Sequence, residues 1–260
     1  MDAVNKTLYI PLYGKSYVSK RSIILQDPKA EEIWAAEGFP LKGKSASKWL
    51  ACYMGMRAAV FDRWVKHQME LMPDAAVLHL GCGMDSRAVR VGTAGHLWYD
   101  VDFPDVMAER KRYYQESETY KMLGIDIREE SWLPQVCGQN AIVVLEGVSM
   151  YLTREALIQL LAQLAGHFDR VRLLMDCYTE FAAKVSKYKN PINDVGVTQV
   201  YGLDDPKLLE QSGLSFLREH DMTPAERINE LQGIEKVIFK RLYAGSIARK
   251  MYRLYEYQKV

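Results

Sequence analysis

Short apolar runs alternate with amphipathic stretches through the middle of this chain, and the alternation predicts its architecture. Five runs have the length and composition of buried strands: Ala76–Leu80, 97–102, Met122–Ile125, Ala141–Leu145 and Val171–Met175. Apolar residues at helical spacing occupy the intervals between several of them. Strands that alternate with helices indicate an α/β fold with a doubly wound, mainly parallel sheet.

The segment before the first strand has a different pattern. Residues 1–72 contain little that is typical of a strand, and from Ser45 to Leu71 the apolar positions recur at helical spacing. We therefore expect a helical N-terminal cap, followed by a ligand-binding core at residues 73–177.

The pattern weakens again after the fifth strand. Residues 178–205 are interpreted as an insertion over the active site, because they show neither strand nor helix periodicity. In residues 206–260, the stretch Phe216–His220 and the period-two C-terminal stretch MYRLYEYQKV predict two more strands. The expectation is one domain whose sheet has seven strands.

Composition excludes several classes of function. The chain has 260 residues, of which 48% are hydrophobic and 26% charged, as in globular proteins. A formal net charge of +1 gives no overall field that would attract nucleic acid or an anionic membrane. The local groups of basic residues, such as Lys15, Lys20 and Arg21, are interpreted as solvated faces.

The cysteines and the apolar runs indicate the cellular compartment in which we expect the protein. The four cysteines have neither the paired spacing nor the neighbouring histidines of a metal site, so we expect reduced thiols in a cytoplasmic protein without a bound metal. No apolar run has the length of a signal sequence core or a membrane span. We accordingly expect neither secretion nor membrane insertion.

A glycine turn follows the first strand, in the sequence LHLGCGMDSR. Gly81 and Gly83 lack a Cβ, so the backbone there can take a positive φ and approach a ligand closely. Asp102 follows about 20 residues later, at the distance where an acid meets the ribose hydroxyls in a Rossmann-like βαβ unit. The third glycine of a dinucleotide fingerprint is replaced by Ser86. The turn is thus either a nucleoside cradle or an ordinary strand-to-helix turn.

Acidic residues follow most of the predicted strands. They are Asp102, Asp126, Glu146 and Asp176. Ligands of open α/β sheets bind at the carboxyl ends of the strands, where these side chains would converge. Such a crevice favours a cationic nucleoside over a polyphosphate. Arg57 lies in an otherwise apolar helix, where a guanidinium would need an anionic partner.

Four motifs carry a resemblance to a known family. LHLGCGMDSRAVRV, YDVDFPDV, GIDIREESW and VLEGVSMYLTREAL occur in the order and spacing of the leucine carboxyl methyltransferases, which include the bacterial tetracenomycin-type polyketide O-methyltransferases. The chain resembles this family from about Met56 to Leu164. The resemblance implies a Rossmann-like methyltransferase fold and S-adenosylmethionine as the methyl donor.

The resemblance also implies roles for individual residues at the methionyl end of the donor. Arg57 would pair with the methionyl carboxylate, and Gly81 and Gly83 would pass under the methionyl part. Glu146 would lie near the amino group, and Lys20 would be the N-terminal basic contact of the family.

Further positions are implied for the nucleoside and the acceptor. Asp102 would bind the ribose, and Asp126 and Ile127 would contact the adenine. Tyr151 lies where the acceptor pocket of the family begins and would orient the acceptor. None of the five histidines stands out as a general base, and a carboxylate acceptor would need none.

We therefore expect methyl transfer to a carboxylate or hydroxyl oxygen of a small metabolite. One alternative is a protein C-terminal carboxylate, bound in a groove built from residues 1–50 and 178–205. Two others are a nicotinamide-dependent reductase and a catalytically silent protein that keeps the fold. The sequence predicts no oligomeric state.

Overall fold

A computed structural model describes residues 7–186, 199–244 and 246–260. Its sheet has seven strands in the order β3-β2-β1-β4-β5-β7-β6. The strands are β1 Ala76–Leu80, β2 Trp98–Asp102, β3 Tyr120–Gly124, β4 Asn140–Leu145, β5 Arg170–Tyr178, β6 Ser215–Glu219 and β7 Tyr252–Lys259. All seven predicted strands are present, each within two residues of its predicted start.

The strand directions confirm the predicted class of sheet. β1 to β5 are parallel, with Leu78 opposite Tyr99 of β2 and Val143 of β4. The C-terminal strand β7 runs antiparallel and lies between β5 and β6. The sheet is therefore mainly parallel, with a reversed strand near one edge.

The sheet is covered on both faces, which is why its strands read as continuous apolar runs. Successive side chains of β1 alternate between two hydrophobic cores: Val77 packs with the N-terminal helices, whereas Leu78 and Leu80 pack on the opposite face. Leu160 and Leu164, from the helix that Thr153 caps, lie in that second core. The doubly wound arrangement is thereby confirmed.

Ten α-helices are found in the described residues. They are α1 Tyr9–Lys20, α2 Pro28–Glu37, α3 Lys48–Leu71, α4 Arg87–Val91, α5 Pro104–Arg110, α6 Arg154–His167, α7 Glu180–Ser186, α8 Ala225–Glu230, α9 Gly233–Ile238 and α10 Ser246–Arg249. Short 3-10 turns lie at Gly43–Ala46, Glu130–Gln135, Ser149–Tyr151 and Pro206–Ser212, and a π-helical turn lies at Phe239–Tyr243. No described helix is long and apolar enough to cross a membrane.

The segment predicted as an insertion is described in part. Residues 187–198 of it lie outside the described residues. Its first part forms α7, directly after β5. Ala182, Val185 and Ser186 of that helix line the cavity described next.

Candidate functional site

A cavity of about 1070 Å³ opens at the carboxyl ends of the parallel strands. Pockets for drug-sized ligands are roughly 300–1,000 Å³, so this one has room for a nucleoside and a second small molecule. Eight of the nine predicted site residues line it: Arg57, Gly81, Gly83, Asp102, Asp126, Ile127, Glu146 and Tyr151. They come from α3, from the turns after β1 to β4 and from the 3-10 turn behind β4. The topology thus brings together residues that are up to 94 positions apart.

Lys20 is the predicted residue that the structure does not place with the others. It is exposed at the C-terminal end of α1 and is not on the cavity wall. Lys15 lies on that wall instead, only 2% exposed, with its Nζ 3.0 Å from Asp85 Oδ2. The interpretation of this basic group as a solvated face is therefore wrong for Lys15.

Close packing of two helices explains the burial of Lys15. A Cβ on the neighbouring Gly14 would lie 2.7 Å from Met54 Cβ, so α1 meets α3 at a glycine contact. This contact brings the following side chain of α1 under the cavity floor. The sequence offers no local signal for it, because Met54 is 40 positions away.

The turn after β1 makes part of the cavity wall from backbone. Gly81 has φ +67°, and a Cβ there would lie 2.3 Å from Val148 Cγ2. Gly83 has φ +52°, and its Cβ would lie 3.2 Å from Leu8 Cβ. Both positions favour glycine for its backbone conformation, and Gly81 also has no room for a side chain. A ligand at this turn would contact main-chain atoms.

Arg57 is buried and held by the acids that its burial requires. Its Nε donates to Glu146 Oε1 at 3.0 Å, and its Nη1 donates to Asp176 Oδ2 at 2.8 Å and to the Tyr252 hydroxyl at 3.0 Å. Burial lowers the pKa of the guanidinium, but the nearby charges of Asp176 and Glu146 together have the larger effect. They raise the pKa of Arg57 well above its usual value. Nη2 has no hydrogen-bond partner among the described residues.

Glu146 bridges two guanidinium groups. Its Oε1 accepts from Arg57, and its Oε2 accepts from Nη2 of Arg87, a fully buried residue of α4. Burial opposes ionisation here, but the two arginines prevail and lower the pKa of Glu146 to about 2. The carboxylate is therefore charged at every physiological pH, and its position is fixed from both sides.

The remaining strand-end acids differ in their environment. Asp176 is fully buried behind Arg57, off the cavity wall, and accepts from the Gly147 N–H at 2.6 Å. Asp126 pairs with the exposed guanidinium of Arg128, its own neighbour two residues on. The predicted acidic crevice is thus largely neutralised, and an excess of acid alone does not account for selection of a cationic ligand.

Asp102 is an exception among these acids. Its carboxylate accepts from the backbone N–H groups of Gly83 at 2.7 Å and Phe103 at 2.8 Å, and no described cationic side chain lies within ion-pair distance. Burial raises the pKa of Asp102 to about 6, although these two hydrogen bonds oppose the shift. These two hydrogen bonds leave further lone pairs on the Asp102 carboxylate. It can therefore still accept hydrogen bonds from both hydroxyls of a neutral diol beside the glycine turn.

The other end of the cavity is apolar and aromatic. Its rings are those of Tyr53, Tyr151, Tyr178, Tyr243 and Tyr252. The ring of Tyr252 lies edge-to-face with that of Tyr178, at 4.9 Å between centroids. Burial raises the pKa of Tyr151, so its hydroxyl stays protonated and can donate a hydrogen bond. This end offers flat apolar surfaces to a second molecule.

A general base is not evident on the cavity wall. Among the described residues that line the cavity, the histidine is His79, which is buried in β1. Its Nε2 lies 3.1 Å from Arg87 Nη1, and burial lowers its pKa. His79 is therefore neutral and engaged with a guanidinium.

Two residues of this site escape sequence reasoning. Lys15 is one, and Arg87 is the other, because its partners Asp62 and Glu146 lie 25 and 59 positions away. Arg87 does lie within the motif LHLGCGMDSRAVRV, directly after the turn. The sequence does offer one signal for Arg87. It is a basic residue at the start of a short helix, a position that the helix macrodipole disfavours.

Two relatives of this chain are named as methyltransferases. The tetracenomycin polyketide synthesis O-methyltransferase TcmP of Streptomyces glaucescens is 28% identical over 263 residues, which covers 99% of this chain and 97% of that protein. The S-adenosyl-L-methionine-dependent methyltransferase dpfgK of Gibberella zeae is 28% identical over 183 residues, or 64% of this chain and 61% of that protein.

Solved structures show the same fold at low identity. Magnesium protoporphyrin IX methyltransferase (ChlM) from Synechocystis PCC 6803, crystallised with bound SAH, has a TM-score of 0.53 at 14% identity, over 88% of this chain and 93% of that one. Residues 10–165, more than half of the chain, match the model of a family described as leucine carboxyl methyltransferase. The prediction from the four motifs is confirmed: this chain belongs to the leucine carboxyl methyltransferase family.

Proposed function

We propose that the chain transfers a methyl group from S-adenosylmethionine to a carboxylate or hydroxyl oxygen of a small molecule. The observation that carries this proposal is the layout of one wall: a free guanidinium nitrogen on Arg57, the backbone turn at Gly81, and the unpaired carboxylate of Asp102. These groups match the carboxylate, the methionyl chain and the ribose of the donor in that order. Family membership supports the same donor.

The polar half of the cavity accounts for each charged group of the donor. Nη2 of Arg57, with Lys15 nearby on the wall, would bind the methionyl carboxylate, and Glu146 would accept from the amino group. Asp126 and Ile127 would contact the adenine at the end of β3. The donor supplies an electrophilic methyl carbon, whose bond to sulfur breaks with its electron pair as the acceptor oxygen bonds to carbon.

The residues of this chain contribute by position. Both partners would bind in this one cavity, which would hold the acceptor oxygen close to the methyl group. A neutral His79 bound to Arg87 is a poor base, so an acceptor that is already ionised needs the least assistance. A carboxylate therefore fits this site better than an alcohol, and a phenol is intermediate.

Tyr151 is proposed to orient the acceptor through its protonated hydroxyl. The variant Tyr151→Phe should bind S-adenosylhomocysteine within about twofold of the parent, since it keeps the ring and loses one hydrogen bond. Its kcat should fall by about tenfold with any accepted substrate. Steady-state kinetics with calorimetry checks this, and an unchanged kcat would leave Tyr151 a packing residue.

Through Asp102, we expect the affinity for S-adenosylhomocysteine, the product formed from the methyl donor, to depend on pH. The pKa of about 6 in the free protein lies above the value in an unfolded chain, and ribose hydroxyls that donate to the carboxylate would lower it again. Binding then releases a proton, so affinity for S-adenosylhomocysteine should rise from pH 5 to pH 7. Calorimetry across this range checks the slope. Asp102→Asn should bind more weakly, with no such slope; an identical slope in that variant would contradict the assignment.

Lys15 and Lys20 are competing candidates for the basic contact near the N terminus. Lys15→Met should weaken binding of S-adenosylhomocysteine by about tenfold through loss of a charge-assisted contact. Asp85 keeps Arg90 as a partner at 2.7 Å, so the fold should survive. Lys20→Met is the matched comparison from the exposed end of the same helix. Loss of affinity in Lys20→Met alone would support the assignment implied by the family resemblance.

A screen of acceptors tests the reaction itself. Release of S-adenosylhomocysteine should be measured with aromatic carboxylic acids, with phenols, and with peptides that end in a free leucine carboxylate. Turnover of a small acid or phenol supports the proposal, whereas turnover of the peptides alone supports the protein C-terminal alternative. Tight donor binding without turnover on any of the three would favour a catalytically silent protein.

A further inference from the structure

A buried arginine contacts the glycine turn from outside the cavity wall. Arg110, the last residue of α5, is fully buried and does not line the cavity. Its Nη1 donates to the carbonyl oxygen of Gly83 at 2.9 Å. The N–H of the same glycine donates to Asp102 Oδ2 at 2.7 Å. Both polar groups of Gly83 are therefore held, on a backbone with φ +52°.

The guanidinium of Arg110 is fixed by the strand that also carries Asp102. Its Nη2 donates to Asp100 Oδ2, and Asp100 is fully buried. Alternate residues of a strand point to the same face, so Asp100 and Asp102 lie on one side of β2. The first binds Arg110 in the interior, and the second reaches the cavity. One strand thus positions both the cavity carboxylate and the anchor of the cation that contacts the turn.

Two tyrosines complete this buried cluster. The hydroxyl of Tyr120 donates to Asp100 Oδ2 at 2.6 Å and accepts from Arg110 Nη2 at 3.2 Å. The ring of Tyr114 lies 4.1 Å from the guanidinium carbon of Arg110, and its hydroxyl donates to the Met84 carbonyl at 3.2 Å. Two successive carbonyl groups of the turn are therefore held by side chains that follow β2.

The charge of Arg110 also acts on Asp102. Burial raises the pKa of Asp102 to about 6, whereas the two backbone N–H donors and the charge of Arg110 lower it. Asp105 of α5 has the opposite effect to Arg110 and raises the pKa of Asp102. The other charged groups named on this part of the cavity wall are paired, and they are Asp126 with Arg128 after β3 and Lys15 with Asp85 after β1.

We propose that Arg110 is a positioning residue for the methyl donor: it holds the turn at Gly83 so that the carboxylate of Asp102 faces the ribose. This inference rests on the proposed function and deepens it, because it assigns the donor site a support that does not touch the ligand. A buried ion pair adds little net stability over apolar residues of the same volume, so stability alone is a weak reason for Arg110 and Asp100. Their contact with the turn supplies a stronger one, since supporting hydrogen bonds set the geometry of a binding site.

Removal of the ion pair as a neutral unit tests this role. Arg110→Met alone strands the buried Asp100 carboxylate, which by itself destabilises a fold strongly. The double variant Arg110→Met with Asp100→Asn removes both charges and leaves the net charge of the chain unchanged. Tyr120→Phe is the matched control, because it removes hydrogen bonds from the same cluster but leaves Arg110 at the turn.

The first measurement follows the turn without any ligand. In protein labelled with ¹⁵N-glycine, the amide signal of Gly83 should titrate with Asp102, because its N–H donates to that carboxylate. The signal is identified by its disappearance in Gly83→Ala. Its midpoint should lie near pH 6 in the unmodified protein and at least about half a pH unit higher in the double variant. Tyr120→Phe should leave the midpoint in place.

The second measurement is calorimetric titration with S-adenosylhomocysteine at pH 8.5, where Asp102 is ionised in all these proteins. The double variant should bind about tenfold more weakly, because a turn that is no longer held presents the carboxylate less well. Tyr120→Phe should bind within about twofold of the unmodified protein. A loss at this pH reports geometry, since the ionisation of Asp102 no longer contributes to it.

The proposal requires both changes in the double variant. An unshifted Gly83 midpoint or an unchanged affinity would show that the ion pair supports the fold alone. Equal changes in Tyr120→Phe would reveal a general loosening of the cluster and would also overturn the role of Arg110. A Gly83 amide that does not titrate in the unmodified protein would remove the contact on which the proposal depends. Failure of the unmodified protein to bind S-adenosylhomocysteine would instead contradict the proposed function.

Discussion

Replacement of Arg57 by methionine should lower the free energy of unfolding by about 3–5 kcal/mol, the usual loss when one partner of a buried ion pair is removed. The reason lies in its partners: Glu146 and Asp176 are both buried, and both would lose a cationic neighbour. Asp176 is affected most, because Glu146 keeps Arg87. Denaturant unfolding followed by circular dichroism measures this change.

The same variant should also abolish measurable binding of S-adenosylhomocysteine. Nη2 of Arg57 is the donor that the fold leaves free at the cavity, and methionine cannot replace it. Because an unstable protein also binds poorly, a second variant separates the two effects. Arg57→Met combined with Asp176→Asn removes the stranded charge and should recover part of the stability but none of the binding. Normal affinity in the double variant would show that Arg57 supports the fold alone.

Substitution of Gly81 by alanine should weaken binding of S-adenosylhomocysteine by at least about tenfold and destabilise the fold by roughly 1–3 kcal/mol. The new Cβ would stand 2.3 Å from Val148 Cγ2 on a backbone with φ +67°. Relief of that contact must move either the turn or Val148, and both lie on the cavity wall. Calorimetry and thermal unfolding measure the two losses.

Gly38→Ala is the matched control for this substitution. Gly38 also has a positive φ, +57°, but its Cβ would meet no atom within 4 Å. It should therefore show the cost of the backbone conformation, about 1–2 kcal/mol, with unchanged affinity. Combination of Gly81→Ala with Val148→Ala should recover the part of the lost stability that comes from the clash, but not the backbone cost. Equal effects of Gly81→Ala and Gly38→Ala on affinity would contradict a ligand at the turn.

The sheet was predictable because its physical signature is local. β1 and β4 are buried on both faces, so Ala141–Leu145 of β4 reads as an unbroken apolar run and β1 is interrupted only by His79. The turn after β1 requires glycine, and Asp102 follows at the distance that a βαβ unit imposes. Residues of this kind can be found from spacing alone, and they all lie on the cavity wall.

What the sequence did not predict depends on contacts between distant segments. Burial of Lys15 results from the packing of α1 on α3, and Arg87 is held by Asp62 of α3 and by Glu146 behind β4. Neither contact leaves a trace in local periodicity. Buried arginines likewise neutralise Glu146 and Asp176, which a simple count of carboxylates presents as part of a strongly negative crevice.

Short or irregular elements were the other source of error. Helix α5 has only seven residues and ends at Arg110, whose guanidinium turns inward to Asp100. The helices α8 to α10 have four to six residues each, too few for a helical period to be recognised.

Calorimetric titration of the purified protein with S-adenosylhomocysteine, repeated with NADH, distinguishes a methyltransferase from a nicotinamide-dependent enzyme. We expect saturable binding of one S-adenosylhomocysteine per chain and no binding of NADH. The experiment needs no knowledge of the acceptor, because the titrant is the product of the methyl donor. Absence of binding by S-adenosylhomocysteine, or saturable binding of NADH, would contradict the proposed methyltransferase function.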